Sequence, residues 1–317
     1  MKQALITFFD PFTATLIKPP SIPILSFVGG DSWDDECYLY YFEKFIFSNG
    51  AWPSSSSSDL QVAMIYDLYK YIAFWRPGQQ QWIKPNMDID VRQIEDVCFF
   101  KGEFYSIDIY SRVIAFGSEL PKRPPRIIAD LKSQGLVPCA HRYYIVAFDQ
   151  NESTLLIVHK DVYELPDVYN TNNNNAAWNW TESFHLIELN VEVPDVYNTN
   201  NNNAARNWTE SFQLIELNVD DGKAKLIHNL GNRALFVGYN STFFVDSLSD
   251  QCKRGCRPNS IYFTDDNYEK YYTLGGGKDI GIFCLREGKR IEQPLYEGGP
   301  SQCSYVAPPT WVELPHY

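Results

Sequence analysis

Carboxylates, histidines and cysteines are the residues of this chain that could do chemistry, and their spacing decides whether they do. Adjacent carboxylates stand at Asp34-Asp35, Asp220-Asp221 and Asp265-Asp266. Two carboxylates facing each other across a cleft can hydrolyse a glycosidic bond. Neighbouring side chains on a strand point to opposite faces, so adjacency in sequence does not build such a pair. Asp265-Asp266 follows a strand-like run, which reads as a turn cap rather than a metal site. The five histidines, His141, His159, His185, His228 and His316, show neither Ser/His/Asp nor metal-ligand spacing. Seven cysteines occur, at Cys37, Cys98, Cys139, Cys252, Cys256, Cys284 and Cys303. Cys252 and Cys256 are close, but no second Cys or His pair completes a zinc site. The odd count without a tight framework fits free thiols in a reducing compartment. Cys98 and Cys284 sit inside strand-like runs, where a thiol acts as a small buried hydrophobe. The spacing therefore assigns no catalytic, metal or cofactor-binding residue, and no cofactor is expected.

The charge balance narrows the partners. The formal net charge is −12. Nucleic-acid binding needs basic residues that displace counterions from phosphates, and the sign here is wrong. The one basic stretch, Lys122, Arg123 and Arg126, is broken by Pro121, Pro124 and Pro125 and reads as a solvated loop. No apolar run approaches the ~18 residues of a membrane span. The opening run Ala4 to Phe9 is too short for a signal-peptide core. The expectation is a cytoplasmic or nuclear protein with no nucleic-acid or membrane partner. The sequons at Asn151, Asn179, Asn207 and Asn240 are then ordinary polar loop residues.

The elements that would position any site read as strands. Tyr and Phe number 21 and 20, and aromatic rings favour pleated, half-buried surfaces. Val62 to Tyr66 and Tyr71 to Trp75 form a hairpin pattern, as do Val97 to Phe100 and Phe104 to Ile107 around Lys101-Gly102-Glu103. Val113 to Phe116 follows. Tyr143 to Phe148 pairs with Thr154 to Val158, and Ala234 to Val237 with Thr242 to Val245. Asp279 to Leu285 and Arg290 to Pro294 flank a turn. Leu5 to Phe9 is a further strand, and Tyr38 to Phe47 has no clean period. Ile128 to Lys132 is expected to make one helical turn. The fold class is all-β.

Residues 165–191 and 193–219 are near-identical copies in a 28-residue register. They differ only at Leu165/Val193, Trp178/Arg206 and His185/Gln213. Propeller blades and solenoid units diverge in sequence and recur more than twice, so this is a local tandem duplication at 165–219. Each copy carries an Asn-rich tract and one strand, Phe184 to Val191 or Phe212 to Val219. A sheet has one slot for that strand, so one copy fills it and the other loops out or adds an edge.

Several strings resemble the plant F-box-associated, KIB-type β-propeller family. Asp10-Pro11-Phe12-Thr13 is similar to its opening. Ala73, Phe74, Arg76, Pro77, Gly78 and Trp82 match a second string. Asp96, Val97, Phe99 or Phe100, Gly102, Phe104, Tyr105 and Asp108 match a third. Leu230, Gly231, Arg233 to Phe236 and Gly238 match a fourth, with Asn232 where the family has Asp. Gly255, Cys256, Asn259 and Ile261 to Asp266 match a fifth, and Pro308, Pro309, Trp311 and Val312 the last. Their order, across residues 10–312, is the family's.

The resemblance implies a single propeller over 1–317, built of short antiparallel four-stranded blades and incomplete at its N-terminus. Gly102, Gly238 and Gly281 suit tight hairpins or close backbone approach. Asp96 and Asp108 are expected to tie backbone amides between blades. Trp82 and Trp311 are expected in the core or between blades. In the family, an F-box docks to a cullin-type ubiquitin-ligase adaptor and the propeller presents the substrate. No F-box window is visible, so direct adaptor binding is not expected. The resemblance implies a non-enzymatic module holding an unidentified protein partner on a propeller face. The alternatives are a degenerate family member without function, or a propeller hydrolase. A deep pocket with two convergent carboxylates would favour the hydrolase, and a flat aromatic-rimmed face would favour binding.

Overall fold

The computed structural model describes residues 3–10, 14–23, 42–48, 60–67, 69–86, 93–117, 123–136, 142–149, 152–164, 207–246, 256–265 and 279–291. All regular structure among them is β. Two short ribbons come first. Strand β1 (Gln3–Ala4) pairs with β4 (Ile22–Pro23), and β2 (Phe8–Asp10) pairs with β3 (Thr15–Ile17). Four sheets come next as the blades of a β-propeller. The first holds β5 (Phe42–Phe47), β6 (Val62–Tyr66) and β7 (Tyr71–Trp75). The second holds β8 (Ile94–Phe100), β9 (Glu103–Asp108), β10 (Arg112–Phe116) and β11 (Arg126–Asp130). The third holds β12 (Arg142–Asp149), β13 (Thr154–Glu164), β14 (Asn207–Asn218) and β15 (Ala224–Ile227). The fourth runs β17 (Thr242–Asp246), β16 (Arg233–Val237), β18 (Ser260–Phe263), β19 (Gly281–Cys284) and β20 (Lys289–Ile291).

The near-continuous apolar runs result from this stacking. A sheet with one wet face alternates apolar and polar residues, but a blade is covered on both faces. In the third blade, Tyr143, Ile145, Leu155 and Ile157 pack on the second blade. Their neighbours Tyr144, Val146, Leu156 and Val158 pack on the fourth. Alternate residues thus serve two different interfaces. The first and second blades meet in the same way through Ile65, Phe74, Val97, Phe104 and Phe116. Phe8, on the second ribbon, packs on Val62 and Trp75.

Strand direction defines two rims. The upper rim carries the starts of β5, β8 and β12 and the turns after β6, β9, β16 and β18. The lower rim carries the β8–β9, β12–β13, β14–β15 and β19–β20 turns. The β8–β9 turn is two residues, Lys101 and Gly102, one shorter than the sequence pattern implies. Both have positive φ, 47° and 84°, the twist that matches a right-handed hairpin. At Gly281 an added Cβ would meet Arg290 Nε at 2.8 Å and Phe263 Cζ at 3.0 Å, so the close approach expected there is present.

Some expectations need correction. Residues 128–130 are strand, because the free edge of β10 offers a ladder and one isolated helical turn lacks a stable nucleus. The run Leu5 to Phe9 is broken, and only Phe8 and Phe9 of it lie in β2. Of Tyr38 to Phe47, residues 42–47 form β5, and 38–41 lie outside the described residues. The fourth blade has five strands rather than four, and β16 runs parallel to β18. Asn207 opens a strand rather than sitting in a loop. The first blade has three strands plus a single bridge from Phe74 to Ile83. Residues 292–317, including Trp311, lie outside the described residues.

The second copy of the duplication fills the slot beside β13, in register from Thr154↔Asn218 to Glu164↔Asn207. The segment after it explains the choice. Asp220-Asp221-Gly222-Lys223 comes only after this copy and closes a tight turn into β15. Asn218 Oδ1 accepts from the Asp220 and Asp221 amides at 2.9 and 3.2 Å. Gly222 takes φ of 70° and its amide donates to the Asn218 carbonyl. Deleting residues 165–192 shortens the connection between β13 and β14 roughly threefold, worth about 1 kcal/mol of closure entropy. The deletion variant is expected to melt within a few degrees of the full chain by differential scanning calorimetry. A drop of about 10 °C or more, a loss of several kcal/mol by the usual scaling, would show that both copies are built into the sheet.

Candidate functional site

The charged residues of the inner strands meet at the upper rim. β5 opens on Glu43-Lys44 and β8 on Glu95-Asp96. Each strand carries a bulge at that point. Phe42 pairs with Tyr66 and Lys44 with Ile65, which leaves Glu43 as the extra residue. Ile94 pairs with Asp108 and Asp96 with Ile107, which leaves Glu95 as the extra residue. A bulge breaks the strict alternation of faces and re-aims a side chain. Both members of each charged pair are therefore buried and engaged.

Arg142, the first residue of β12, joins them. Its guanidinium reaches Glu43 at 2.8 Å and Glu95 at 3.1 Å. Lys70 adds contacts to Glu95 at 2.8 Å and to Glu43 at 3.4 Å. Asp96 is 1% exposed and accepts from four sheets. Its donors are Lys44 of the first blade, the Val97 amide of its own, the Ile145 amide of the third and, at 3.4 Å, the Thr242 hydroxyl of the fourth. Asp96 thus ties blades, as expected. Asp108 does not. It caps its own turn, accepting from the Tyr110 and Arg112 amides and pairing with the Arg112 side chain.

Three carboxylates and three cations balance within this network. Burial pushes the Glu95 carboxyl up, but Arg142 and Lys70 outweigh it and hold the group below the ordinary glutamate range. Glu95 is therefore an ionised, saturated partner rather than a proton donor. Glu43 and Glu95 are convergent carboxylates, yet cations occupy the space between them, which is the wrong arrangement for a hydrolase.

A second tie lies at the same end, between the third and fourth blades. Asp279 accepts from the Thr209 amide and hydroxyl, pairs with Arg290 at 2.9 Å and meets Lys160 at 3.4 Å. Asp265 accepts from the Asp279 amide at 3.3 Å, a contact between two segments rather than within the turn that follows β18, while Asp266 lies outside the described residues.

The other chemistry-bearing residues disperse. His159 is buried against Tyr143 with ring centroids 5.2 Å apart, and His228 is exposed on the lower rim. His141, His185 and His316 lie outside the described residues, as do Cys37, Cys139, Cys252 and Cys303. Cys98, Cys256 and Cys284 are free thiols, and burial pushes the Cys98 thiol up. No group of three metal-ligating side chains occurs among the described residues. Arg126 is in β11 rather than a solvated loop, paired twice with Glu103 at 2.9 Å, which lowers the Glu103 carboxyl. Trp82 donates to the Pro20 carbonyl and packs on the first blade. The network of Glu43, Lys44, Lys70, Glu95 and Arg142 was not expected from the sequence. Its one visible signal is charge inside apolar strands, in FEKFIF and IEDVCFF.

Above this network the rim is aromatic. Tyr69, Ile109 and Tyr110 stand at the tips of the β6–β7 and β9–β10 turns and are 46%, 36% and 57% exposed. Gln93 stitches the two turns together, its amide donating to the Tyr69 carbonyl at 2.8 Å and its carbonyl accepting from the Ile109 amide at 3.0 Å. Tyr71 packs beside Tyr69, and the Arg112 guanidinium lies over the Tyr110 ring. Tyr239 of the fourth blade meets Arg142 from the other side.

Two variants test the network. Asp96→Ala leaves Lys44 buried without its carboxylate, a loss of about 3–5 kcal/mol by urea unfolding. A loss below about 1 kcal/mol, the scale of an exposed pair, would show that Asp96 is not the tie. Glu95 has a depressed carboxyl in the folded state, so its stabilising contribution is complete above the unfolded value of about 4.3 and fades as pH falls through the lower folded value. Glu95→Gln is expected to flatten the acid limb of stability against pH below about 4.3, measured by urea midpoints at stepped pH. An unchanged slope would contradict the ion pairing.

No curated protein matches this chain. A family model does, that of the KIB1-4 beta-propeller, over residues 2–284. The match runs from the first ribbon to the end of β19 and spans every residue of the upper-rim network. With four blades in place and most of its length matched, the chain belongs to the KIB1-4 beta-propeller family.

Proposed function

We propose that this propeller is a non-enzymatic protein-interaction module whose upper rim receives the partner. The carrying observation is the patch of Tyr69, Ile109 and Tyr110, held on two stitched turns above a charge-neutral axis. Tyrosine is enriched where proteins meet, because it buries a large ring and keeps a polar tip. Rigid turn tips add little ordering cost on binding. The ion-paired Glu43 and Glu95 argue against hydrolysis at the same rim. The family resemblance supports a finer reading, in which the propeller presents a substrate to a cullin-type ubiquitin ligase.

The test is differential capture. Wild type and a Tyr69→Ser/Tyr110→Ser variant, matched in melting temperature, are crosslinked in cells and the captured proteins are quantified by mass spectrometry. At least one abundant wild-type partner should fall about tenfold or more, since truncating a central interface aromatic costs over about 1 kcal/mol. An identical capture profile would overturn the upper rim as the docking face.

A further inference from the structure

The lower rim of the fourth blade carries a feature that neither the axis network nor the aromatic rim uses. A cleft of about 580 Å³ opens between the β15–β16 connection, the segment before β18 and the β19–β20 turn. Arg286, His228, Asn229, Asn232 and Asn259 line it, and no carboxylate does among the described residues. That composition is unusual in a chain of net charge −12.

The hydrogen bonding makes the cleft donor-rich. Asn259 sits at φ of 53°, and its side-chain Oδ1 accepts from the Leu230 amide at 2.9 Å. Asn229 Oδ1 accepts from the Gly231 amide at 2.7 Å. Each side-chain oxygen is thus turned to backbone, which leaves the two Nδ2 groups as donors at the wall. The Asn259 amide also donates to the Arg233 carbonyl, so the wall is strapped in place. Arg286 is exposed and has no ion pair among the described residues. The neighbouring carboxylates among the described residues are engaged elsewhere. Glu287 pairs with Lys289 at 3.3 Å, and Asp149 and Asp246 act on Arg233.

We propose that this cleft is an oxyanion site that takes a phosphate or carboxylate group on a side chain of a peptide. Guanidinium and amide N–H groups on fixed backbone are the donors that such oxygens require, and charge-assisted bonds of this kind are the strong ones. The site needs nothing from the upper rim and stands or falls without it.

Inorganic phosphate is the first probe, followed by phosphoserine and glutamate tripeptides that separate the two sources. Binding is read on the full-length chain from ¹H–¹⁵N shifts of the Asn259 and Asn229 side-chain amides and the Arg286 Nε–H. Wild type should show saturable shifts confined to these groups, at constant ionic strength. Asn259→Asp keeps the acceptor for the Leu230 amide and replaces a donor with a negative oxygen, so it should weaken binding at least fivefold without altering the fold. Arg286→Gln should do the same. Lys132→Gln, an equal charge change on an exposed turn of the second blade, should not. Linear shifts that spread over the whole chain, or equal weakening by Lys132→Gln, would overturn the site. A tighter complex with phosphoserine assigns a phosphorylated segment as its ligand, and a tighter complex with glutamate an acidic one.

Discussion

Four sheets meet at one buried carboxylate. Each blade is an ordinary small sheet, and a sheet alone has no reason to stand at a given angle to its neighbour. Apolar packing between blades is non-directional. Directional bonds must therefore set the geometry of the ring, and Asp96 supplies them to Lys44, Ile145 and Thr242 as well as its own strand. The desolvation of that carboxylate is offset only while those donors stay in place. The aromatic rim depends on the same constraint, because Gln93, which holds the Tyr69 and Ile109 turns together, immediately precedes the β8 bulge.

The two bulges show why the network takes this form. Glu43 and Glu95 are the extra residues at matching places in successive blades. Each puts one more charge into the interface than regular strands would allow. Arg142 then has a fork of two carboxylates to bind, one from each blade, which suits its planar guanidinium better than a lysine would. A neutral sum of charges at the axis is required by burial, since an unmatched ion there would cost several kcal/mol.

The strands of the described blades were legible because their signal is local. Apolar runs broken by Asp-, Gly- or Lys-containing turns pair β6 with β7, β8 with β9 and β12 with β13, although β8 begins at Ile94 rather than Val97 and β13 runs on to Glu164 rather than ending at Val158. The role of Asp96 was legible as a class of contact, but not its partners. Lys44 and Thr242 are remote in sequence, and the charge inside the apolar run of Lys44 does not say which carboxylate it meets. Asp108 reads identically to Asp96 and does something different, because its strand ends where Asp96's strand begins. Edge strands were poorly legible. Residues 126–130 have weak pattern and become strand only because β10 leaves a ladder open. The parallel pair of β16 and β18 was hidden for a similar reason, since β17 turns back inside and the chain must re-enter from the lower rim.

The duplication illustrates how little of a strand's own sequence decides which copy folds into a slot. Both copies offer nearly the same strand, and the pairing residues of β13 cannot tell most of it apart. The differences lie at Val193, Arg206 and Gln213 and in the segment after the copy. Gln213 brings its Oε1 into a buried place with no hydrogen-bond partner among the described residues, a small cost. The Asn218 cap, the left-handed Gly222 and the fork from Gln134 to Gly222 and Ala224 act in the opposite direction. Each of these bonds contributes about 1 kcal/mol, and together they exceed what one unsatisfied amide oxygen costs. The choice of strand is therefore made by the turn that continues it into β15, not by the strand itself.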